Sequence, residues 1–377
     1  MIAVRHALLK LVFMPKIMAV NRLLDPVSPG RDTPPMPECD KYWRFPLTKI
    51  RNIFDPMTNI IPDYDVIIIG GGPAGLSAAL WCSDLGMRAV LLEKEEEFGG
   101  QLLRTFNLIR NYPGIEESTG QEIRDSFLSQ VVHGKVERRT GVAISRVDLA
   151  SKTIWMENGA SLTSNAIIIA TGVRRRKLGV AGEDEFVGRG ILDSGVRNRE
   201  TVAGKDVVIV GGGDAALENA IILGENARTV TLVHRSNEFR ARPHFIETAS
   251  HMQNVTFRLN TRITSICGNT NVSAVELFDT ATAESSVMAA DAVLIRVGVM
   301  PNTDLFQDQI ELDQNGYIKV DAACSTNIEG VFVVGDVANP VAPTIVSAAG
   351  MGATAAKNAE ILAKRLTDAA AIKERSM

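Results

Sequence analysis

Two glycine-rich segments of this chain have the residue types and spacing that bind the pyrophosphate of a dinucleotide. In the first, Gly70, Gly72 and Gly75 fill a G-x-G-x-x-G turn that follows a short β-branched run at residues 66–69. The first glycine permits a tight turn, the second lets backbone approach a pyrophosphate, and the third lets a helix pack closely on the strand. Glu93 lies about 20 residues further on, where an acid can bind ribose hydroxyls. A glycine turn without a ligand is the weaker interpretation, because the strand–turn–helix–strand–acid pattern is complete.

The second segment repeats this pattern but ends in basic residues. Gly211, Gly213 and Ala216 make a G-x-G-x-x-A turn after another apolar run. His234 and Arg235 stand at the place that an acid holds in the first segment. A cation there suits the 2′-phosphate of NADP rather than a free ribose diol. The competing interpretation is that these are surface basic residues on a domain that prefers NADH.

Two dinucleotide units in one chain imply two dinucleotides, and FAD with NADPH is the simplest pair. Glu93 assigns FAD to the first unit, while Arg235, with Arg240 close behind it, assigns NADPH to the second.

A third landmark favours a flavin. Residues 330–336 read as a strand that ends at Asp336, whose carboxylate would bond a ribityl hydroxyl. A helix predicted from about residue 344 to residue 366 would direct the positive end of its dipole at the flavin from near Ile345, which stabilises the anionic reduced ring. Taken alone, Asp336 reads equally well as an ordinary turn acid after a core strand.

The elements that must position these residues are those of an α/β protein. A helix is predicted to begin near Pro73, and buried strands are predicted at residues 166–172, 207–210 and 230–233. Residues 136–158 read as short alternating strands, and Thr119 is a plausible N-cap of a helix.

Composition limits the class of protein. The chain of 377 residues is long enough for two domains, and its 45% hydrophobic and 22% charged content is that of a globular protein. A net charge of −4 gives no reason to expect a nucleic-acid partner. The four cysteines, Cys39, Cys82, Cys267 and Cys324, include no C-x-x-C pair, so neither a disulfide framework nor a metal site is expected.

Residues 1–56 differ from the rest of the chain. Residues 1–24 are basic and apolar, but Lys10 and Lys16 interrupt the apolar run, so stable membrane insertion is not expected. We favour the interpretation that translation begins at Met57 and that the preceding extension is a start-site artefact or is disordered. An interfacial membrane helix or targeting segment is the alternative. We expect a cytoplasmic protein.

The basic run at residues 174–177 follows the predicted strand directly. Such a run is usually a solvated linker, and the sharper interpretation is a docking patch for an acidic partner.

A set of motifs in fixed order resembles one known family. The segments GGGPAG, GGQL, NYPG, IIIATG, GGGDAA with HRxxxFR, GVMPNT and GVFVVGD resemble the low-molecular-weight thioredoxin reductases, over about Met57 to the end of the sequence. The resemblance implies a three-layer ββα FAD domain at residues 57–177 and 289–377, with an NADPH domain inserted at residues 178–288. Both would be Rossmann-like dinucleotide-binding domains. It also implies a homodimer, and rotation of one domain against the other to bring nicotinamide to flavin.

The matching motifs imply which residues contact the two cofactors. For FAD they are Gly70, Gly72, Pro73, Ala74, Gly75, Glu93, Gly100, Gln101, Leu102, Asn111, Ala170, Thr171, Gly172, Gly335, Asp336, Thr344 and Ile345. For NADPH they are Gly211, Gly213, Asp214, Ala215, His234, Arg235 and Arg240.

The chain departs from the family at the redox centre. Family reductases carry C-A-T-C-D between a G-R-G and the second glycine turn, whereas Ser194 and Arg197 stand at the cysteine places here and Asn198 replaces the acid. Neither side chain can form a thiolate or a disulfide, so internal dithiol exchange is unavailable. No catalytic residue is assigned in its place.

We therefore expect an NADPH-dependent FAD oxidoreductase that passes electrons to an external acceptor, such as an acidic redox protein, a quinone or a small disulfide. Ferredoxin/flavodoxin–NADP reductases of similar fold also lack the cysteine pair, and their FRAHEH-like stretch resembles residues 239–244. They carry a C-terminal aromatic residue, however, and residues 357–377 contain none. A non-catalytic flavin- and NADPH-binding sensor is the other alternative, because fold alone does not establish catalysis.

Overall fold

The computed structural model describes residues 62–375. The expectations for residues 1–56, including a start at Met57, lie outside the described residues, and so does Cys39. Within the described part of the chain, no helix is both long and apolar enough to cross a membrane.

The described chain alternates strands and helices. The strands are β1 (Tyr64–Ile69), β2 (Ala89–Leu92), β3 (Glu137–Arg139), β4 (Ile144–Asp148), β5 (Thr153–Met156), β6 (Ser161–Ile169), β7 (Val173–Arg175), β8 (Ile191–Leu192), β9 (Asp206–Gly211), β10 (Thr229–Val233), β11 (Val255–Arg258), β12 (Thr261–Gly268), β13 (Val272–Asp279), β14 (Ser285–Ala289), β15 (Ala292–Arg296), β16 (Val299–Pro301) and β17 (Val331–Val333). The α-helices are α1 (Pro73–Asp84), α2 (Gly120–Val132), α3 (Gly195–Asn198), α4 (Asp214–Gly224), α5 (Pro243–Ser250) and α6 (Ile345–Arg375). Short 3₁₀ turns occupy Gly100–Arg104, Asp304–Phe306 and Gly335–Val337.

The first sheet has the order β3-β2-β1-β6-β5-β4, and β17 also pairs with β6. Strands β1, β2, β3, β6 and β17 run parallel, while β4 and β5 are antiparallel to their neighbours. The central strands β1 and β2 and the second half of β6 are apolar and buried on both faces, as a parallel sheet covered on both sides requires. The strand predicted at residues 166–172 ends at Ile169, and residues 170–172 form the turn after it.

The second sheet is fully parallel, with the order β11-β10-β9-β15-β8. Strand β15 pairs with β9 along its whole length, from Ala292 opposite Val207 to Arg296 opposite Gly211. The second sheet therefore continues past residue 288, where the sequence placed the domain boundary. Residue 288 lies within β14, the last strand of the β12–β14 sheet. The chain then returns to the second sheet as β15.

Two smaller sheets complete the architecture. Strands β12, β13 and β14 form an antiparallel sheet in which Cys267 pairs with Ala274. Cys267 thus lies within strand β12. Strands β7 and β16 form a two-stranded antiparallel ribbon at the two points where the chain passes between the two large sheets.

Helices cover the sheets through close contacts. Helices α1 and α6 pack together, and a Cβ added at Gly352 of α6 would lie 2.3 Å from the carbonyl oxygen of Ala74. Helix α6 continues to Arg375, beyond the end at residue 366 predicted from the sequence. The predicted cap of α2 is confirmed as a capping box, since Thr119 and Glu122 each accept a hydrogen bond from the other's backbone.

Candidate functional site

The carboxyl ends of the parallel strands in the first sheet bring the predicted FAD residues to one edge. Gly70 follows β1, Glu93 follows β2, Ala170 follows β6, and Gly335 lies two residues beyond β17. Because parallel strands end at the same edge, these residues from distant parts of the sequence face one crevice.

The glycines of the first turn are required by close backbone contacts. Gly70 has φ +108°, and a Cβ there would lie 2.4 Å from the carbonyl oxygen of Ala170. A Cβ at Gly75 would lie 1.8 Å from the carbonyl oxygen of Gly70. At Gly72, by contrast, the nearest heavy atom to an added Cβ is Gly100 Cα at 4.0 Å. The middle position therefore presents open backbone at the N-terminus of α1, which is the arrangement that a pyrophosphate needs.

Glu93 is buried and holds the glycine turn in place. Glu93 is only 7% exposed to solvent. Oε2 accepts a hydrogen bond from the backbone N–H of Gly71 at 2.7 Å, and Oε1 accepts one from Glu95 N–H at 3.0 Å. Each carboxylate oxygen keeps a further lone pair, so the group can still accept from ribose hydroxyls.

The second candidate segment, Gly100–Leu102, closes over the first turn. Gly99 N–H donates to the carbonyl of Gly71 at 2.8 Å, and a Cβ at Gly100 would lie 3.0 Å from Gly72 Cα. Gln101 Nε2 donates to the carbonyl of Val173 at 2.7 Å, which ties the turn to β7. Leu102 is buried in a small cluster against which Ile345 packs. Asn111 is exposed, and no hydrogen bond ties its side chain to these residues.

Asp336 lies in the 3₁₀ turn after β17 and is partly buried. Burial raises the pKa of its carboxyl group above the ordinary value. Gly335, with φ +75°, brings the turn against α1, since a Cβ there would lie 2.9 Å from Ala74 Cβ. Thr344 Oγ1 accepts from the backbone N–H of Ser347 at 3.3 Å and so caps the start of α6 beside Ile345.

One residue missing from the sequence-based set organises this edge. Asn302 Nδ2 donates to the carbonyl of Thr171 at 2.7 Å, and Thr171 Oγ1 donates to the carbonyl of Asn302 at 2.8 Å. Asn302 N–H also donates to the carbonyl of Gly172 at 3.0 Å. Asn302 thus fixes the turn of Ala170, Thr171 and Gly172 across 131 residues of sequence. Asn302 belongs to the GVMPNT motif noted in the sequence, but that motif alone does not indicate which residues Asn302 contacts.

The second sheet presents an equivalent edge. A Cβ at Gly211, with φ +152°, would lie 2.2 Å from the carbonyl oxygen of Arg296, whereas one at Gly213 meets nothing within 4 Å. Gly213 therefore offers the same open backbone at the N-terminus of α4. Asp214 begins that helix and pairs with Arg242 Nε at 2.8 Å, and Ala215 beside it is exposed.

His234 occupies the position that Glu93 holds in the first unit. The residue is 6% exposed, and a Cβ at Gly212 would lie 2.3 Å from its ring. Its ring stacks on Phe239 at 5.5 Å between centroids, and its Nε2 is buried with no hydrogen-bond partner among residues 62–375. Burial lowers the pKa of His234, and the neighbouring charges of Arg240 and Arg235 lower it further.

Arg235 and Arg240 are both exposed, and neither forms an ion pair with a carboxylate in the described part of the chain. Arg240 is held close to the glycine turn, because its backbone N–H donates to the carbonyl of Gly212 at 2.7 Å. Two free guanidinium groups beside an orphaned imidazole nitrogen fit a phosphate on the adenosine ribose.

The segment that replaces the family's dithiol forms the single-turn helix α3. Ser194 is 8% exposed and precedes the helix. Asn198 Oδ1 accepts from the backbone N–H groups of Asp193 and Ser194, both at 3.1 Å. Arg197 pairs with Asp193 at 3.1 Å and lies over the ring of Phe106 at 5.6 Å. The segment is therefore held by hydrogen bonds and an ion pair, with no sulfur.

The cysteines within the described residues are free and lie elsewhere. Cys82 is buried in α1, and burial raises the pKa of its thiol to about 12. Cys324 is buried as well, and burial raises its pKa to about 11. Cys267 lies in β12 with Ser265 Oγ 3.4 Å from its sulfur. Thiols with such raised pKa values are poor nucleophiles at neutral pH.

The basic run at residues 174–177 is largely engaged. Arg174 pairs with Asp304 at 2.8 Å, and Lys177 pairs with Asp184 at 2.5 Å. Arg175 donates to the backbone carbonyl of Asp193 instead. Arg175 belongs to the basic run noted in the sequence, but its neighbour Arg296 was not singled out, because nothing local links positions on β7 and β15.

Comparisons with known proteins agree with this geometry. Residues 64–353 match the family described as pyridine nucleotide-disulphide oxidoreductase. A thioredoxin reductase of Mycolicibacterium smegmatis is 36% identical over 300 residues, 79% of this chain and 96% of that protein. A thioredoxin reductase of Listeria innocua is 36% identical over 307 residues, 81% of this chain and 96% of that protein.

The fold comparison gives the same result. The crystal structure of Lactococcus lactis thioredoxin reductase superimposes with a TM-score of 0.72 at 32% identity, covering 80% of this chain and 99% of its own. The α/β fold class with two Rossmann-like units, predicted from the sequence, is confirmed.

Proposed function

This chain belongs to the pyridine nucleotide-disulphide oxidoreductases, and on that premise we propose that it takes hydride from NADPH onto FAD and passes the electrons to an external acceptor without a dithiol of its own. FAD and NADPH are the cofactors of this family. The residues at both strand edges fit them, with open backbone at Gly72 and Gly213 and the exposed cations Arg235 and Arg240 beside the second turn.

One observation carries the dithiol-free part of the proposal. The turn between Gly190 and the second glycine turn presents Ser194 and Arg197, and both are fixed by oxygen and nitrogen contacts. Disulfide exchange requires a thiolate to attack and a second thiol to resolve the mixed disulfide. The buried thiols of Cys82 and Cys324 supply neither.

The residues at each edge have separate tasks in this mechanism. Glu93 and Asp336 would hold the ribose and ribityl hydroxyls of FAD, while Arg235 and Arg240 would hold the 2′-phosphate of NADPH. The start of α6 at Ile345 directs backbone N–H groups and the positive end of the helix dipole at the crevice, where they favour negative charge. When bound, the flavin supplies the two-electron chemistry that no side chain here can perform.

A cysteine-free variant tests this proposal. Replacing Cys39, Cys82, Cys267 and Cys324 with Ala should leave NADPH-driven reduction of 1,4-naphthoquinone within about twofold of the native rate, because the proposed mechanism uses no thiol and the buried thiols of Cys82 and Cys324 act only as packing groups. Flavin absorbance of the purified variant is the control for folding. A variant that holds its flavin but loses turnover would show that a thiol takes part.

Flavin bleaching separates the enzyme from the sensor. Rapid loss of flavin absorbance when NADPH is added anaerobically is expected. A native protein whose flavin stays oxidised under these conditions would be a binding protein, not a reductase. A homodimer, a cytoplasmic location and the identity of the acceptor belong to this proposal and await direct measurement of assembly, localisation and acceptor range.

A further inference from the structure

Two arginines from different sheets converge beside the segment that replaces the dithiol. Arg175 lies on β7, and Arg296 ends β15. Arg175 Nη1 donates to the backbone carbonyl of Asp193 at 2.5 Å, and Arg296 Nη2 donates to the same oxygen at 2.8 Å. Asp193 directly precedes Ser194. One carbonyl oxygen therefore holds two guanidinium groups next to each other.

The positive charges of this pair are not neutralised. Within the described residues, neither Arg175 nor Arg296 forms an ion pair, and the nearby carboxylate of Asp193 is bound to Arg197. Burial first, and the charge of Arg175 second, lower the pKa of Arg296 to about 10, although the charge of Asp193 acts in the opposite direction. Arg175 is exposed in part, but desolvation of its guanidinium lowers its pKa as well; the charge of Asp193 opposes this shift, and the charge of Arg104 adds to it. An anion placed between the two groups would relieve this repulsion.

The position of the pair separates it from the residues proposed to hold the 2′-phosphate of NADPH. The sheet order places β9 between β10, which is followed by His234 and Arg235, and β15, which ends at Arg296. The guanidinium of Arg296 extends further in the same direction, toward Asp193 after β8. The pair thus adjoins the place from which family members hand electrons to their acceptors, not the adenosine end of the second site.

We propose that Arg175 and Arg296 form an oxyanion-binding site for the electron acceptor, which would carry a carboxylate, sulfonate or phosphate group. The proposal rests on the proposed reductase function and names the chemical class of its acceptor. Arg296 spends two of its five N–H donors, on the carbonyls of Ile295 and Asp193, and Arg175 spends one. The remaining donors form a planar fork that suits bidentate binding of an oxyanion.

A pair of matched acceptors tests the site. The flavin-loaded full-length protein would reduce 1,4-naphthoquinone and its 2-sulfonate, which differ by one negative charge. Arg296→Gln and Arg175→Gln keep a hydrogen-bond donor but lose the charge. For each variant, the ratio of kcat/KM for the sulfonate to kcat/KM for the neutral quinone should fall about tenfold relative to the native ratio. The two quinones differ in reduction potential, but this difference affects the ratio equally in the native protein and in each variant, so it cancels when the two ratios are compared.

Arg176→Gln is the matched control, since it removes one charge from the same ribbon and should leave the ratio unchanged. Arg175 is exposed, so its variant tests the site even if Arg296→Gln holds no flavin. Calorimetric binding of the sulfonate to the oxidised protein, without NADPH, should weaken in parallel with the kinetic ratio.

The possible outcomes distinguish failure of the oxyanion-site proposal from failure of the proposed reductase function. A native flavin that NADPH does not bleach would overturn the proposed function itself. Normal bleaching with an unchanged ratio in both variants would overturn the oxyanion site alone. An equal fall of the ratio in Arg176→Gln would reduce the effect to general surface charge and also overturn it. A raised KM for NADPH with the neutral quinone, at an unchanged ratio, would assign the pair to the nucleotide instead.

Discussion

The two glycine-turn units of this protein share a backbone and differ at two side-chain positions. In the first, Gly75 closes the turn, and the carboxylate of Glu93 accepts from Gly71 N–H at 2.7 Å. In the second, Ala216 closes the turn, and the imidazole of His234 packs against Gly212 without making such a bond. In the function proposed above, the shared backbone geometry would place a pyrophosphate in both units, and the residue after the second strand would decide which ribose is bound.

The third position of each turn shows how tightly its helix approaches its strand. The first unit leaves no room for a methyl group at Gly75. The second unit already contains one, and a Cβ at Gly211 would lie 3.0 Å from Ala216 Cβ. The first unit is thus packed more closely at this point, and it is correspondingly less tolerant of change.

The largest effect is expected from a substitution that disrupts the first glycine turn. Gly75→Ala should lower the free energy of unfolding by about 3 kcal/mol and strip the purified protein of flavin, because the new Cβ meets backbone that cannot move freely. Urea unfolding and the ratio of flavin to protein absorbance measure both effects. The matched change Ala216→Gly should cost only about 1 kcal/mol, from lower helix propensity, and leave the flavin bound. Equal losses in the two variants would mean that the two turns do not differ as described.

The next effect concerns the ribose end of the second unit. Arg235→Ala should raise the KM for NADPH about tenfold and leave the KM for NADH nearly unchanged, since only NADPH carries the 2′-phosphate. Steady-state kinetics with both nucleotides provide the measurement. Ser236→Ala is the neighbouring control and should have little effect, because it removes at most a neutral hydrogen bond. If both nucleotides weaken together, Arg235 is a structural residue.

The smallest effect concerns how the free energy of unfolding depends on pH. His234 should contribute to this dependence, and it stands where the first unit has Glu93. Its pKa is lower in the folded protein than in the unfolded chain, so between these two values the unfolded chain binds more protons. Stability should therefore rise as pH increases from below the lowered pKa to the ordinary value of about 6.5. His234→Gln should flatten this part of the stability curve, measured by urea unfolding at several pH values. His133→Gln, which changes an exposed histidine, should leave the slope intact; an unchanged slope in His234→Gln would contradict the assignment.

Local signals in the sequence were sufficient for the two turns. The glycine spacing and the apolar runs predicted β1, α1, β9 and α4 in the correct order. The domain boundary predicted at residue 288 lies within β14, ahead of β15, which pairs with β9. Whether β15 joins β9 or the first sheet depends on pairing across about 85 residues, as in the 85-residue separation of Asp206 and Asp291, and no local pattern encodes it.

The same reason explains the site residues that sequence reasoning missed. Asn302 bonds Thr171, and Arg296 meets Arg175 at the carbonyl of Asp193, through contacts between segments far apart in the chain. Each residue type taken alone is compatible with a solvated surface. His234 was identified as a cofactor residue, but its orphaned Nε2 became evident only with the packing of Phe239 and Gly212 around it.

The late position of β17 in the chain has a consequence for biosynthesis. Residues Ile167–Ile169 of β6 pair with β1 on one side and with β17 on the other. A ribosome must therefore add more than 150 further residues after Ile169 before Val331–Val333 can cover the second side of that apolar segment. Until then the nascent chain carries an open strand edge of the kind that recruits other chains. Chaperone protection during translation, and not only cofactor supply, would then govern how much of this protein matures.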